Sequence, residues 1–168
     1  MTQNHIQIIK MGGTIEFFDP SYDELIQKLI GLDTSIDNYL GRILQPHFTY
    51  EIEEVAQKDS RDLTTEDRNK LLQAITGSKS ENILITHGTF TMTETARFLV
   101  DAGITNKKVI LTGSMIPITG FTTSDAGFNL GFAIGSFNSV EPGIYLSMNG
   151  GVFSLDEVQK NTKIFRFE

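Results

Sequence analysis

Two threonines stand where short apolar runs give out. Thr14 follows Gly12-Gly13 after the run from Ile6 to Met11, and Thr89 follows His87-Gly88 after Ile83-Leu84-Ile85-Thr86. In an open α/β sheet, ligands collect at the carboxyl ends of strands, so two hydroxyls placed there can face one crevice. Paired glycines tolerate positive φ and let a ligand approach the backbone, which would leave the Thr14 hydroxyl able to attack a carbonyl. Taken alone, Gly-Gly-Thr is also what an ordinary strand-to-loop turn with a capping threonine looks like. The other chemistry available is limited. The 168 residues include no cysteine, which excludes disulfides, thiolate metal sites and cysteine nucleophiles. Neither G-x-G-x-x-G nor G-x-x-x-x-G-K-S/T occurs, so a phosphate cradle has no sequence support. His5 and His47 have no ligand spacing, and His87, part of the second turn, is expected to be structural; no metal site is expected.

The elements that must position these hydroxyls alternate between short β-like runs and amphipathic helix-length segments, the pattern of a sheet covered by helices. Strands are expected near 5–11, 48–56, 82–86, 108–112 and 143–149, and helices over 21–30 and 64–76. Thr91-Met92-Thr93-Glu94 has the form of a capping box, so a helix should start there and run to about Gly103. Ser124-Asp125 opens another helix, to about Asn138, in which Gly127, Gly131 and Gly135 recur along one face and suggest close backbone packing. A chain of this length fits one domain that buries roughly 70% of its unfolded surface. The formal charge of −7, from 21 acidic and 14 basic residues, repels polyanions, so nucleic acid is not expected as a partner. No apolar run approaches the ~20 residues of a spanning helix, and Met1 to His5 has no signal-peptide pattern, so a cytoplasmic protein without membrane contact is expected.

At the level of whole motifs the chain resembles the bacterial-type L-asparaginases. Met11-Gly12-Gly13-Thr14-Ile15 matches their T-G-G-T-I element except at Met11. ITHGTFTMTETA, from Ile85 to Ala96, matches I-T-H-G-T-D-T-M-x-E-T-A except at Phe90. Asp59-Ser60, KVILTGSMIP from Lys108 to Pro117, SDAGFNL from Ser124 to Leu130 and VQKNT from Val158 to Thr162 follow in family order. The resemblance implies a Rossmann-like or flavodoxin-like three-layer αβα sandwich with a mostly parallel sheet, corresponding to the family's N-terminal domain over 1–168. It makes Thr14 the first nucleophile candidate, pairs Thr89 with Lys160, and gives Ser60 the substrate carboxylate. Gly13, Arg61, Gly88, Phe90 and Ser114 are then expected to line the same site. The implied reaction is hydrolysis of a small amide without metal or organic cofactor. A lysine with a lowered pKa would remove a hydroxyl proton, and backbone N–H groups at the start of the helix after Thr89 would stabilise the oxyanion.

Three departures alter that expectation. Phe90 stands where the family has an aspartate that pairs with the lysine and binds the substrate's α-ammonium, so the expected substrate lacks an ammonium group, and Lys160 should have its pKa lowered by desolvation. Asp62 is the other carboxylate that could supply the missing charge, or it is a helix-entry residue before Thr64. The family's lid tyrosine has no counterpart at matching spacing, Tyr22 being the only nearby tyrosine. The family's C-terminal domain is expected to be absent. Apolar Ile116, Ile118 and Phe121 suggest a homodimer. A weakly active or inactive ligand-binding homologue, or a subunit that needs a partner chain, are the alternatives.

Overall fold

The computed structural model describes residues 5–16, 35–118, 123–156 and 158–168. The helix expected over 21–30, with Tyr22, and also Phe121 lie outside the described residues. A six-stranded sheet runs through the molecule in the order β2-β1-β3-β4-β5-β6. Its strands are β1 (His5–Gly12), β2 (Thr49–Lys58), β3 (Asn82–Thr86), β4 (Lys108–Thr112), β5 (Gly143–Met148) and β6 (Gly151–Phe153). The first five are parallel, and β6 turns back antiparallel on β5. All five strands expected from sequence are present within two residues of their expected ends.

The parallel order 2-1-3-4-5 is the flavodoxin-like one, and it reverses direction between β1 and β3. Both glycine-threonine turns leave from those two strands. β1 and β3 are nearly continuous apolar runs because both of their faces are covered. One face carries Ile9, Met11, Ile83, Ile85, Val109 and Leu111 and is covered by α2 (Thr65–Gly77) and α3 (Met92–Asp101), through Leu71, Ile75, Met92, Ala96 and Leu99. The other carries Ile6, Ile8, Leu84 and Ile110. It meets Ile36 and Leu40, from the short helix α1 (Ile36–Asn38) and the π-helical turn that continues it, and Ala126, Leu130 and Ala133 of α4 (Ala126–Ser136). The result is a three-layer α/β fold. Complete burial of one such Ile or Leu contributes about 1.5–3 kcal/mol, so the two faces together fix the strand register.

Three local expectations are corrected. Thr91 precedes α3, but its hydroxyl is donated to the Ser60 carbonyl at 2.7 Å and Glu94 pairs with Arg68 at 3.6 Å, so no capping box closes there. The reciprocal box forms instead at α2, where Thr64 and Asp67 bond each other's backbone N–H. Of the three α4 glycines only Gly127 is approached closely, by the Tyr39 hydroxyl; Gly131 and Gly135 face open space. Ile118 belongs to the chain's own core and its N–H donates to the Ile15 carbonyl at 3.0 Å, so this residue does not offer a surface.

Candidate active site

The two turns meet through their glycines. Gly13 has φ +88°, and a Cβ there would strike the backbone of His87 and Gly88. A Cβ on Gly88 would in turn lie 2.7 Å from Ser60 Cβ and 2.8 Å from its Oγ. Three loops, one each after β1, β2 and β3, are thus stacked backbone on backbone, a packing only glycine permits. Gly12, at φ +83°, docks against Lys58 in the same way, and Gly13 N–H donates to the Lys58 carbonyl at 3.0 Å. Thr14, the residue beyond this stack on the β1 side, is exposed on a 3-10 turn. Thr89, beyond it on the β3 side, is 6% exposed.

The amine reaches Thr89 from the far end of the sequence. Lys160 begins β7 (Lys160–Asn161), which pairs with β8 (Arg166–Phe167) in a hairpin pinned by Phe167, a residue buried in the core. Lys160 Nζ lies 2.7 Å from Thr89 Oγ1, a hydrogen-bond distance short enough for direct proton transfer. Burial lowers the Lys160 pKa from the ordinary lysine value, since removing an ammonium from water favours its neutral form. Met115 Sδ is the other polar contact of the Thr89 hydroxyl, at 3.8 Å.

Phe90 extends outward beside this pair and is 57% exposed. Lys160 Nζ lies 4.3 Å from its ring centroid and Arg61 Cζ 4.7 Å, so two cations contact one ring. Asp59 binds Arg61 at Nε (2.9 Å) and Nη2 (2.8 Å), and its own pKa is lowered chiefly by those bonds. Asp62 ends the 3-10 turn Ser60–Asp62 and is exposed.

Ser60 and Ser114 are both buried. Ser60 is buried under Gly88, where its Oγ lies 3.4 Å from the Thr91 N–H that points to it. Ser114 is buried too and donates to the Ile116 carbonyl at 2.6 Å, within its own loop.

Two networks support the site: one centres on His87, which the sequence expected to be structural, and the other escaped the sequence reading. His87 is fully buried, with Nδ1 2.7 Å from the Gly88 carbonyl and Nε2 2.8 Å from Thr95 Oγ1. A carbonyl only accepts, which puts the proton on Nδ1 and makes Nε2 the acceptor of the Thr95 hydroxyl. Arg68 Nε donates to that same oxygen at 3.1 Å. Burial, helped by the Arg68 charge, drives the His87 pKa down to about 4, so the ring stays neutral and fixes the turn that carries Thr89. The second network begins at Asn129, which donates to the Gly113 carbonyl and to Asp125 (both 3.0 Å) and accepts from Asn149 N–H at 3.0 Å. Asn149 Oδ1 then accepts from Phe167 N–H at 3.2 Å, tying the Lys160 hairpin to the loop beside Thr89. A buried amide inside an otherwise apolar glycine-rich helix was the available signal.

A groove of about 730 Å³ passes Lys160, lined also by Thr93, Glu94, Arg97, Asp156 and Asn161. A second, of about 870 Å³ along β2 and α2, takes in His5, Gln7 and Ser80 at the opposite end of the sheet and holds none of the residues above. Among the described residues no group of three His, Asp or Glu side chains could hold a metal ion, and no helix is long and apolar enough to cross a membrane.

Strand order and the two turns that leave β1 and β3 define a flavodoxin-like α/β protein in which a lysine amine meets a threonine hydroxyl at the carboxyl end of the sheet. The family model "Asparaginase, N-terminal" matches residues 5–164, and the chain belongs to the asparaginase family through that N-terminal domain. A glutaminase-asparaginase of Acinetobacter glutaminasificans is 39% identical over 85 residues, 49% of this chain and 25% of that protein. A probable periplasmic L-asparaginase of Haemophilus influenzae is 31% identical over 165 residues, 94% of this chain and 46% of its own length. Among solved structures, a probable cytoplasmic L-asparaginase of Campylobacter jejuni superposes with TM-score 0.78 at 27% identity, over 98% of this chain and 52% of that one. L-asparaginase I of Vibrio cholerae does so with TM-score 0.75, also at 27%, over 99% and 51%. The chain thus spans about half the length of the relatives it matches end to end.

Proposed function

We propose that this chain supports hydrolysis of a small primary amide, other than L-asparagine, through a threonine nucleophile with release of ammonia. The observation that carries the reading is the 2.7 Å contact between Lys160 Nζ and Thr89 Oγ1, with a lysine pKa lowered by burial. Thr14, the exposed hydroxyl, attacks the amide carbon. Its proton passes to Thr89 as the Thr89 proton passes to neutral Lys160. Collapse of the tetrahedral intermediate breaks the C–N bond, and the proton held by Lys160 passes through the Thr89 hydroxyl to the departing nitrogen as ammonia forms, Thr14 Oγ being acylated by then. Water then repeats the attack on the acyl-threonine and restores the enzyme. General-base help of this kind is worth about 10²–10⁴-fold in rate.

A second reading is favoured by the same contact. Thr89 touches the amine directly, so Thr89 rather than Thr14 is then the acylated residue. Mass spectrometry of the acyl-enzyme trapped with a slow substrate separates the two, and ammonia release by both Thr14→Ala and Thr89→Val at the unmodified rate would refute the amidase altogether. The expected assembly is a cytoplasmic homodimer. Ile116, the exposed member of the apolar loop residues described, supports self-association, and sedimentation equilibrium reads the mass.

A further inference from the structure

Gln7 is an amide set between Ile6 and Ile8 in an otherwise apolar length of β1, and it is only 7% exposed. Its side chain makes no hydrogen bond among the described residues, whereas a buried polar group is ordinarily paired. Alternation along the strand puts it on the face of Ile9 and Met11. On that face the groove of about 870 Å³ runs between β2 and α2, at the far end of the sheet from Thr89, and Gln7 lines it. Strand register then supplies the neighbours. Glu51 stands opposite Gln7 across the β1–β2 ladder and Glu53 opposite Ile9, so both carboxylates share the amide's face. About 6.6 Å of strand separates them. Both are exposed, and neither forms an ion pair among the described residues. The other charges of the groove are placed differently. Glu54 belongs to the opposite face, where it pairs with Lys10 at 3.3 Å, and Lys70 is held by Glu66 at 2.9 Å. Lys79 is exposed on the loop after α2, and Lys107, outside the lining, donates to the Ser78 and Ser80 carbonyls of that loop at 2.8 and 2.7 Å. Cations therefore gather at the loop, and unpaired carboxylates along β2.

We propose that this groove binds a linear aliphatic diamine along β2. One ammonium sits at Glu51, where the Gln7 amide oxygen accepts a further N–H, and the other sits at Glu53. An ammonium has three donors and no acceptor, so a carboxylate beside an unpaired amide oxygen matches it. A four-carbon chain sets its two nitrogens about as far apart as two same-face carboxylates on one strand. Its methylenes lie against Val55 and Ala74, which also line the groove. Binding here is independent of the Thr89–Lys160 couple and of the amidase reading.

The probe is 1,4-diaminobutane at physiological ionic strength, titrated by calorimetry and by NMR of the Gln7 side-chain amide. Two relatives that differ from it at one end only, 1-aminobutane and 4-aminobutanoate, serve as comparisons. A protein of charge −7 attracts any cation weakly, so the differences carry the result. The diamine is expected to bind about tenfold more tightly than either relative, the factor for one charge-assisted hydrogen bond, and to shift the Gln7 amide signals. Glu51→Gln and Gln7→Leu should each weaken it by a similar factor, about tenfold. Glu141→Gln, an exposed carboxylate before β5, should leave it within about twofold, as a distant screened charge does. Glu51 is exposed, so its variant tests the proposal even if Gln7→Leu fails to fold. Equal affinity for the diamine and 1-aminobutane, tighter binding of 4-aminobutanoate, or diamine binding unchanged in Glu51→Gln overturns the proposal. Gln7 signals that stay fixed at saturation overturn it too, since the amide is then paired with water alone.

Discussion

Lys10 and Lys160 stand at the same end of the sheet and are tuned in opposite directions. Lys10, on β1 and in register with Thr86 of β3, has only 8% of its side chain exposed. Burial alone would lower its pKa, but Asp37 at 3.0 Å, Glu16 at 3.2 Å and Glu54 at 3.3 Å surround it, and its pKa is raised above the ordinary lysine range. Lys160 is less buried, yet its pKa is lowered, because among the described residues no carboxylate pairs with it to offset desolvation and its close contacts are a hydroxyl and a phenyl ring. Burial therefore does not decide what a lysine can do; its partners do. The first is a fixed cation that holds loops together, and the second is an amine free to lose its proton.

The comparison breaks most visibly when each lysine is removed. Lys160→Met should cut ammonia release by about 10²–10⁴-fold, the range for losing a general base, while urea unfolding changes little. Initial rates on a primary amide measure it, and a rate within a factor of three of the unmodified protein would return Lys160 to the role of a surface cation. Lys10→Met should do the opposite and cost about 3–5 kcal/mol of stability, because buried Glu16, whose pKa burial already raises, loses the cation that offsets its desolvation. Urea titration of a folded sample reads that loss. A cost below 1 kcal/mol would mean that the carboxylates, not the lysine, organise the cluster.

A third change moves one lysine toward the other. A carboxylate placed beside an ammonium favours its charged form, so Phe90→Asp should raise the Lys160 pKa and carry the alkaline-rising limb of the pH–rate profile upward by about one to three pH units. The sign is fixed by the mechanism. The active form is the neutral amine, so rate rises with pH through the Lys160 pKa, and the midpoint of that rise in the unmodified protein lies below the ordinary lysine value. At neutral pH the variant should therefore be slower by about tenfold for every pH unit the limb moves, since that is the factor by which the neutral fraction falls. The contribution of Lys10 to stability runs the other way in pH. With its folded pKa raised, that contribution is complete below the unfolded value and is lost only as pH climbs through the higher folded one. An alkaline-side loss that persists unchanged in Lys10→Met would contradict that assignment.

The contrast also explains what the sequence could and could not reveal. Strands β1, β3, β4 and β5 were legible because short runs rich in isoleucine, valine and leucine, bounded by Gly, Pro or Asn, have few other ways to be buried. The threonine turns were legible because Gly12-Gly13 marks positive φ, which both residues have; that the glycines meet neighbouring loops was not, since the sequence read them as room for a ligand. The cluster around Lys10 was not, since Glu16, Asp37 and Glu54 come from three separate elements and no spacing links them. The Thr91–Glu94 pattern misled because a hydroxyl with two possible backbone partners follows the tertiary one, here the Ser60 carbonyl. The α4 glycines misled for a related reason: small residues at helical spacing permit close packing but do not supply the neighbour.

The smallest change separates the members of the Lys10 cluster. Asp37 and Glu54 are half exposed, 52% and 50% of their side chains, whereas Glu16 is at 3% and also accepts the Ile36 N–H at 3.2 Å. Water screens the two outer pairs, so Asp37→Asn and Glu54→Gln should each cost at most about 1 kcal/mol in urea unfolding. Salt should reduce those costs further, since exposed charges are screened within about 8 Å at physiological ionic strength. A loss of several kcal/mol from either variant would place the anchoring charge on the outside of the cluster. Lys10 would then be held as a surface ion-pair network holds a lysine, and its contrast with Lys160 would come from the number of carboxylates rather than from one buried partner.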